Sequence, residues 1–409
     1  LIDFGSVQVS SYSDTQTIKI NGDNLTSDIN ISITGNYEVS IDGVTFSTTA
    51  IISSDTANED NTLFVRFAPD SLGSDSGTIT ITSTGAENEI LNLIGTGAPV
   101  IQTYTTFNKQ ILAPTNAKQK NEQNFTLHND LSNVSKITMY VKLECETGGC
   151  PPWDVFGNVL VHDAESDSYY ELGRFITPYG KSTSQLGRGF EYDVTDFKSM
   201  LQGSVELRAR IVTWSKRWLV TVEFDYEEGT PHFPYYAISN VFDYSFGPQV
   251  IPYGKSHSKD LTRTITIPTN AESTHLRSVI TGWGHATPVD TDGRPCAEWC
   301  YRTHDVKIDN ANTFSHYMGP IGCANNPVQP QGGNWSNDRA GWCPGMEAPI
   351  RTDTFSTNQA GKTFALEYDF QDWTTDGGTT SSENGAFYSL SQFVVVKSNT
   401  EIVKPTVVQ

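Results

Sequence analysis

Along most of its length the chain alternates apolar and polar positions with a period of two. Thr17-Ile18-Lys19-Ile20, Leu63 to Phe67, Thr78 to Ile81 and Ile90 to Ile94 are short alternating runs, separated by Gly, Asn and Asp. Such runs predict strands with one buried face, because successive side chains leave a strand on opposite sides. The period persists beyond residue 100. Ile137, Met139, Val141 and Leu143 alternate with Thr138, Tyr140, Lys142 and Glu144, and similar rows follow at Val205 to Ile211, Val220 to Phe224 and Phe364 to Phe370. No long amphipathic helical period stands out; residues 196–202, after Thr195, predict one short helix. The expected class is all-β. At roughly 150 residues per domain the 409 residues divide into two or three units, and the polar, Pro-bearing stretch Glu227 to Pro234 marks a break. The expected domains are 1–100, 101–232 and 233–409.

Charge sharpens the first boundary. Residues 1–100 hold 13 acidic side chains against only Lys19 and Arg66, with no Trp, Cys or His, and close on Gly95-Thr96-Gly97-Ala98-Pro99. Their strand pattern suits a small β-sandwich with its own core. Asp3-Phe4-Gly5, Phe67-Ala68-Pro69 and the closing Gly-Thr-Gly resemble bacterial immunoglobulin-like modules of the spindle-associated and hydin type. The net charge of −20 excludes a nucleic-acid binder, which needs a basic footprint. No apolar run approaches the ~20 residues of a membrane span.

Six cysteines, at 145, 150, 296, 300, 323 and 343, fall in sequential couples with four, three and nineteen residues between. Short couples suit loop staples in an exported protein. A zinc site needs four converging ligands, yet no CxxC occurs and none of the first four Cys has a His within three residues. Disulfides and an extracytoplasmic location are expected.

Two acids share one setting. Asp154 follows Cys145-Glu-Thr-Gly-Gly-Cys150-Pro-Pro-Trp153 and leads into an expected strand, Gly157 to His162; Glu298 sits within Cys296-Ala-Glu-Trp-Cys300. In each case a Cys-bounded loop holds a carboxylate beside a Trp, and their convergence from different units would put a cleft between them. Seven of the eight Trp lie at 153, 214, 218, 283, 299, 335 and 342, in or near expected loops, where aromatic faces suit the C–H faces of sugars. Half or more of them belong to a core on the plainer reading. Trp214, Trp283, Trp299 and Trp342 are the substrate-binding candidates, with Arg339, whose planar fork of donors can clamp a substrate or pair with neighbouring Asp338 or another acid. His285 and His304 have no Ser or Cys nucleophile motif beside them, which sets a Ser triad aside.

The segments GWGHATP (282–288), CAEWCYRTH (296–304), ANTFSH (311–316), NWSNDRAGWCPGM (334–346) and GRFITPY…RGFEYDVTDFKSML (173–201) resemble the PNGase F family of bacterial peptide-N4-(N-acetyl-β-glucosaminyl)asparagine amidases, over residues 101–409. The resemblance implies two side-by-side eight-stranded jelly rolls, here preceded by the immunoglobulin-like sandwich. It implies disulfides Cys145–Cys150, Cys296–Cys300 and Cys323–Cys343, no metal and no organic cofactor. It also implies catalysis by Asp154 and Glu298, and N-glycosylated peptides and glycoproteins as partners of a monomeric enzyme. The implied reaction hydrolyses the amide between Asn and the innermost N-acetylglucosamine, leaving Asp and a glycosylamine. An endo-type glycoside hydrolase and a non-catalytic glycan-binding lectin are the rival readings. Two positions depart from the family. Val212 stands where a glutamate precedes Thr-Trp, and Val155 where an Arg follows the essential Asp.

Overall fold

A computed structural model of the chain describes residues 1–245, 250–253, 260–286, 289–372 and 386–409. Nearly all its regular structure is strand, as the period of two requires. The last two residues of the GWGHATP segment lie outside the described residues. The chain divides into two compact units, residues 1–101 with 227–229, and residues 102–226 with 230–409.

The first unit is a sandwich of two sheets. One has five strands in the order Ile2–Gln8, Glu89–Ala98, Gly73–Thr82, Ile29–Ile33, Thr49–Ile52; the other has three, Gln16–Ile20, Asn61–Phe67, Tyr37–Ser40. The alternating runs put Ile31, Ile79, Leu63, Val65 and Leu93 inside, around the stacked rings of Tyr37 and Phe67.

The second unit holds two further sandwiches of the jelly-roll class. In the first, Ile101–Thr105 and Gln110–Leu112 both pair with Trp218–Glu228, which is followed by Val134–Cys145 and Phe190–Asp193. Its facing sheet runs Lys120–Thr126, Ser204–Ile211, Phe156–Asp163, Ser168–Ile176, so the described residues make eight strand rows. In the second, Tyr235–Tyr244 and Ile251–Pro252 share the partner Phe387–Ser398, which is followed by Ser273–Trp283 and Ile350–Thr354. Its other sheet runs Ala311–Met318, Arg302–Ile308, Thr363–Asp369, Leu261–Thr266, Thr406–Val408. This is one row beyond the expected eight, because the chain end adds Thr406–Val408 to an edge.

The two jelly rolls are one compact body because their seam is a core in its own right. Ile238, Phe393 and Val395 of the second complete the apolar cluster of the first, and Tyr170 stacks on Phe393 at 5.3 Å with the rings 14° apart. The short helix expected at 196–202 is a 3-10 helix, Thr195–Met200, whose Phe197 packs edge-on against Phe393. Polar links cross the same seam. Arg174 and Glu171 are both buried and paired at 2.7 Å, and Arg174 also donates to Thr281 Oγ1 and the Ser389 carbonyl of the other jelly roll. Asp196 accepts from Arg277 and pairs with His275 and Lys397.

Candidate active site

Asp154 is fixed by its neighbours rather than by a regular element. The Cys145–Cys150 disulfide closes the loop after Val134–Cys145, and Pro151-Pro152 stiffen the exit. One buried hydroxyl then pins both flanks of the acid. Thr177 Oγ1 accepts from the Val155 N–H at 2.9 Å and donates to the Trp153 carbonyl at 2.9 Å. Glu298 is held inside the Cys296–Cys300 loop, its N–H donating to the Gly284 carbonyl and its carbonyl accepting from the Ala340 N–H. That loop lies tight against the strand Ser273–Trp283. A Cβ at Gly282 would sit 2.0 Å from the Ala297 carbonyl oxygen, so only glycine permits the approach.

Arg339 joins the two acids. Its side chain is fully buried, with Nη2 3.2 Å from Asp154 Oδ2 and Nε 3.9 Å from Glu298 Oε1. The expected alternative, a pair with Asp338, does not form: Asp338 Oδ1 accepts instead from the Gly322 and Cys323 N–H groups. Arg339 Nη1 donates to the carbonyls of Asn334 and Asn337, and Nη2 to Asn334 Oδ1 and the Tyr179 hydroxyl. The indole of Trp299 lies 4.5 Å from the guanidinium carbon. Only Nε lacks a hydrogen bond among the described residues.

Burial dominates the electrostatics. It raises the Asp154 carboxyl above its ordinary range, opposed by the Tyr179 hydroxyl and by Arg339. Burial, reinforced by the negative charge of Asp154, pushes Glu298 up to about 7 despite Arg339. Tyr179 is pushed up by burial and by Asp154, so its hydroxyl keeps its proton. His285 Nε2 lies 3.5 Å from Glu298 Oε2 and accepts from the Trp299 indole N–H at 2.7 Å.

The candidate tryptophans divide by exposure. Trp214, 58% exposed, lies with its ring 5.0 Å from that of Trp153 at the mouth of a cavity of ≈ 210 Å³. Asp154, Val155, Phe156, Val212, Trp214 and Trp283 line that cavity. Trp342 is wholly buried, donates to the Gly282 carbonyl and stacks behind Trp283 at 4.6 Å. It therefore backs the site instead of offering a face to a ligand. Trp218 is core of the first jelly roll. Tyr179, Asn334 and Thr177 went unseen in the sequence, since an isolated hydroxyl or amide carries no spacing signal.

Among the described residues, two groupings bring three acid or thiol ligand atoms together. One is the Cys323–Cys343 disulfide with Asp338, whose sulfurs are consumed. The other is Asp260, Glu367 and Asp369, where Lys307 Nζ already lies against Glu367 and Asp369.

Two differently tuned carboxylates on one buried guanidinium, beside an aromatic-walled cavity, form an arrangement between jelly rolls that can exchange protons with a bound ligand. The family model described as peptide-N-glycosidase F, C terminal, matches residues 252–394. The peptide-N(4)-(N-acetyl-beta-D-glucosaminyl)asparagine amidase F of Elizabethkingia miricola is 47% identical over 292 residues, 71% of this chain and 81% of that protein. A solved structure titled as PNGase F, a glycosylasparaginase from Flavobacterium meningosepticum, is 44% identical; it matches with a TM-score of 0.71 over 76% of this chain and 100% of its own. PNGF-II shares the fold, with a TM-score of 0.57 at 11% identity over 92% of this chain and 100% of that one. The chain belongs to the peptide-N-glycosidase F family.

Proposed function

We propose that the chain hydrolyses the amide bond between Asn and the innermost N-acetylglucosamine of N-linked glycans, turning Asn into Asp and releasing a glycosylamine. The observation that carries this reading is the 47% identity to an amidase named for that reaction, and the fully buried Arg339 reaching both Asp154 and Glu298 supplies it with a paired acid–base geometry. In the proposed mechanism Asp154, ionised beside Arg339, is the general base that takes a proton from the attacking water. Glu298, raised to about 7, is protonated in about half of the molecules at pH 7, and in that form passes its proton toward the departing nitrogen. Arg339 is a positioning residue: its donors fix the Asp154 oxygen and neutralise the pair. Trp214 and Trp283 offer rings to the sugar, and Trp299 braces Arg339. The charge of Asp154 raises Glu298, so the pH dependence of activity reports on both acids. Residues 1–100 act as an appended module, and the enzyme works as a monomer outside the cytoplasm, where its three disulfides persist.

Mass spectrometry of a defined glycopeptide in ¹⁸O water tests the reading. The expected product peptide carries Asp with one heavy oxygen. A product retaining N-acetylglucosamine on Asn would indicate an endo-type glycosidase, and unchanged but bound glycopeptide a lectin.

A further inference from the structure

The two sheets of the first unit are unequal, five strands against three, and Gln16–Ile20 is an edge of the smaller. It pairs with Asn61–Phe67 on one side and has no strand on the other among the described residues. A free edge presents a row of backbone donors and acceptors. Beside it lies a groove of ≈ 440 Å³, floored by Ile18, Leu25, Ile81 and Leu91, which pack on the core yet remain part-exposed. Asp23, Glu87 and Glu89 are among its lining residues. Glu87 and Glu89 have no ion-pair partner among the described residues. Of the two cationic side chains in residues 1–100, Lys19 also lines the groove, donating to Thr62 Oγ1, so three carboxylates there face one ammonium; Arg66 pairs with Glu38 between the rings of Tyr12 and Phe46.

We propose that this groove binds an extended cationic polypeptide segment, which adds a fourth strand beside Gln16–Ile20. The open edge supplies main-chain hydrogen bonds, and the part-exposed apolar floor receives every second side chain of the incoming strand. Lys or Arg on that segment meets Asp23, Glu87 and Glu89. With Asp23, Glu87 and Glu89 outnumbering Lys19 in the lining, an acidic or neutral strand of the same shape binds more weakly. The site is independent of the amide hydrolysis proposed above and uses none of its residues.

The probe is a capped nine-residue peptide alternating valine with lysine, with its glutamate-for-lysine counterpart as control, measured against the full chain by fluorescence anisotropy and amide hydrogen exchange. The lysine peptide should bind and slow exchange within residues 16–20. The double substitution Glu87→Lys, Glu89→Lys, at exposed positions, should weaken binding roughly tenfold at low salt. Ile18→Thr, which keeps β-branching, should weaken it about threefold. Hydrolysis of a free glycopeptide should be unchanged in both variants. Unaltered exchange at 16–20 under saturating peptide, or equal binding of the glutamate peptide, would overturn the proposal. So would dimerisation of the chain that Glu87→Lys, Glu89→Lys abolishes, because the groove would then belong to a second copy.

Discussion

Two buried arginines hold carboxylates where the jelly rolls meet, and they are built to opposite ends. Arg174 is saturated: its donors reach both oxygens of Glu171, Thr281, Ser391 and the Ser389 carbonyl. Burial would raise Glu171, but Arg174 and hydrogen bonds from Ser391 and Asn158 outweigh it and hold that carboxyl below its usual range. Arg339 is also wholly buried, yet stands 3.2 Å from one acid and 3.9 Å from the other, with Nε unsatisfied. There burial wins, and both acids rise. A satisfied pair makes a joint, while an under-satisfied one brings the protonation of Glu298 within reach of neutral pH.

Removing the base should have the largest effect. Asp154→Asn should lower kcat by about 10³-fold or more with the fold intact, since a general base contributes on that order. A variant retaining a few per cent of wild-type kcat would remove Asp154 from the mechanism. At the joint the loss should be in stability. Glu171→Gln leaves the Arg174 charge buried and unpaired, which should cost about 3–5 kcal/mol in denaturant unfolding. The wild-type contribution of Glu171 is present above the ordinary carboxylate pKa and is lost as pH falls, because its folded pKa is lowered.

Glu298 should behave oppositely. Its folded pKa of about 7 exceeds its ordinary 4.5, so its contribution to stability is whole below 4.5 and lost as pH rises through about 7. Glu298→Gln should therefore stabilise the protein by about 1–3 kcal/mol at pH 8 and change little at pH 4. The same variant should lower kcat about 10²-fold and remove the alkaline limb of the activity profile near pH 7. A change in KM alone would make Glu298 a binding residue. The smallest expected effect is at Val212, which lines the Asp154 cavity. Val212→Glu adds a like charge and should move the acid limb upward by about half a pH unit; kcat/KM against pH on one glycopeptide measures it.

The period of two carried the strands, as Val134–Cys145 and Thr363–Asp369 illustrate. The cysteine couples marked the loops that hold Asp154 and Glu298. What alternation could not reveal was the seam. Phe393 lies in the run Phe393-Val-Val-Val396, buried on both faces, so no polar partner betrays which side meets Tyr170. Trp342 read as a surface aromatic because it neighbours Gly and Cys in a loop-like stretch, but its indole N–H finds the Gly282 carbonyl in the interior. Arg339 was visible as a clamp, though its length and planarity say nothing of which acids it will reach. That depended on the fold bringing positions 154, 298 and 339 together.

The strand Phe387–Ser398 bears a consequence in time. It is the shared partner of Tyr235–Tyr244, Ile251–Pro252 and Ser273–Trp283, and it contributes Ser389 and Ser391 to Arg174 and Glu171. Chains emerge from the ribosome amino end first. More than a hundred residues after Trp283 must therefore be synthesised before Ser273–Trp283, against which the Glu298 loop lies, gains its central neighbour Phe387–Ser398. A nascent chain, or one cut before Phe387, holds Asp154 without a settled counterpart, and so stays silent until that strand has been made.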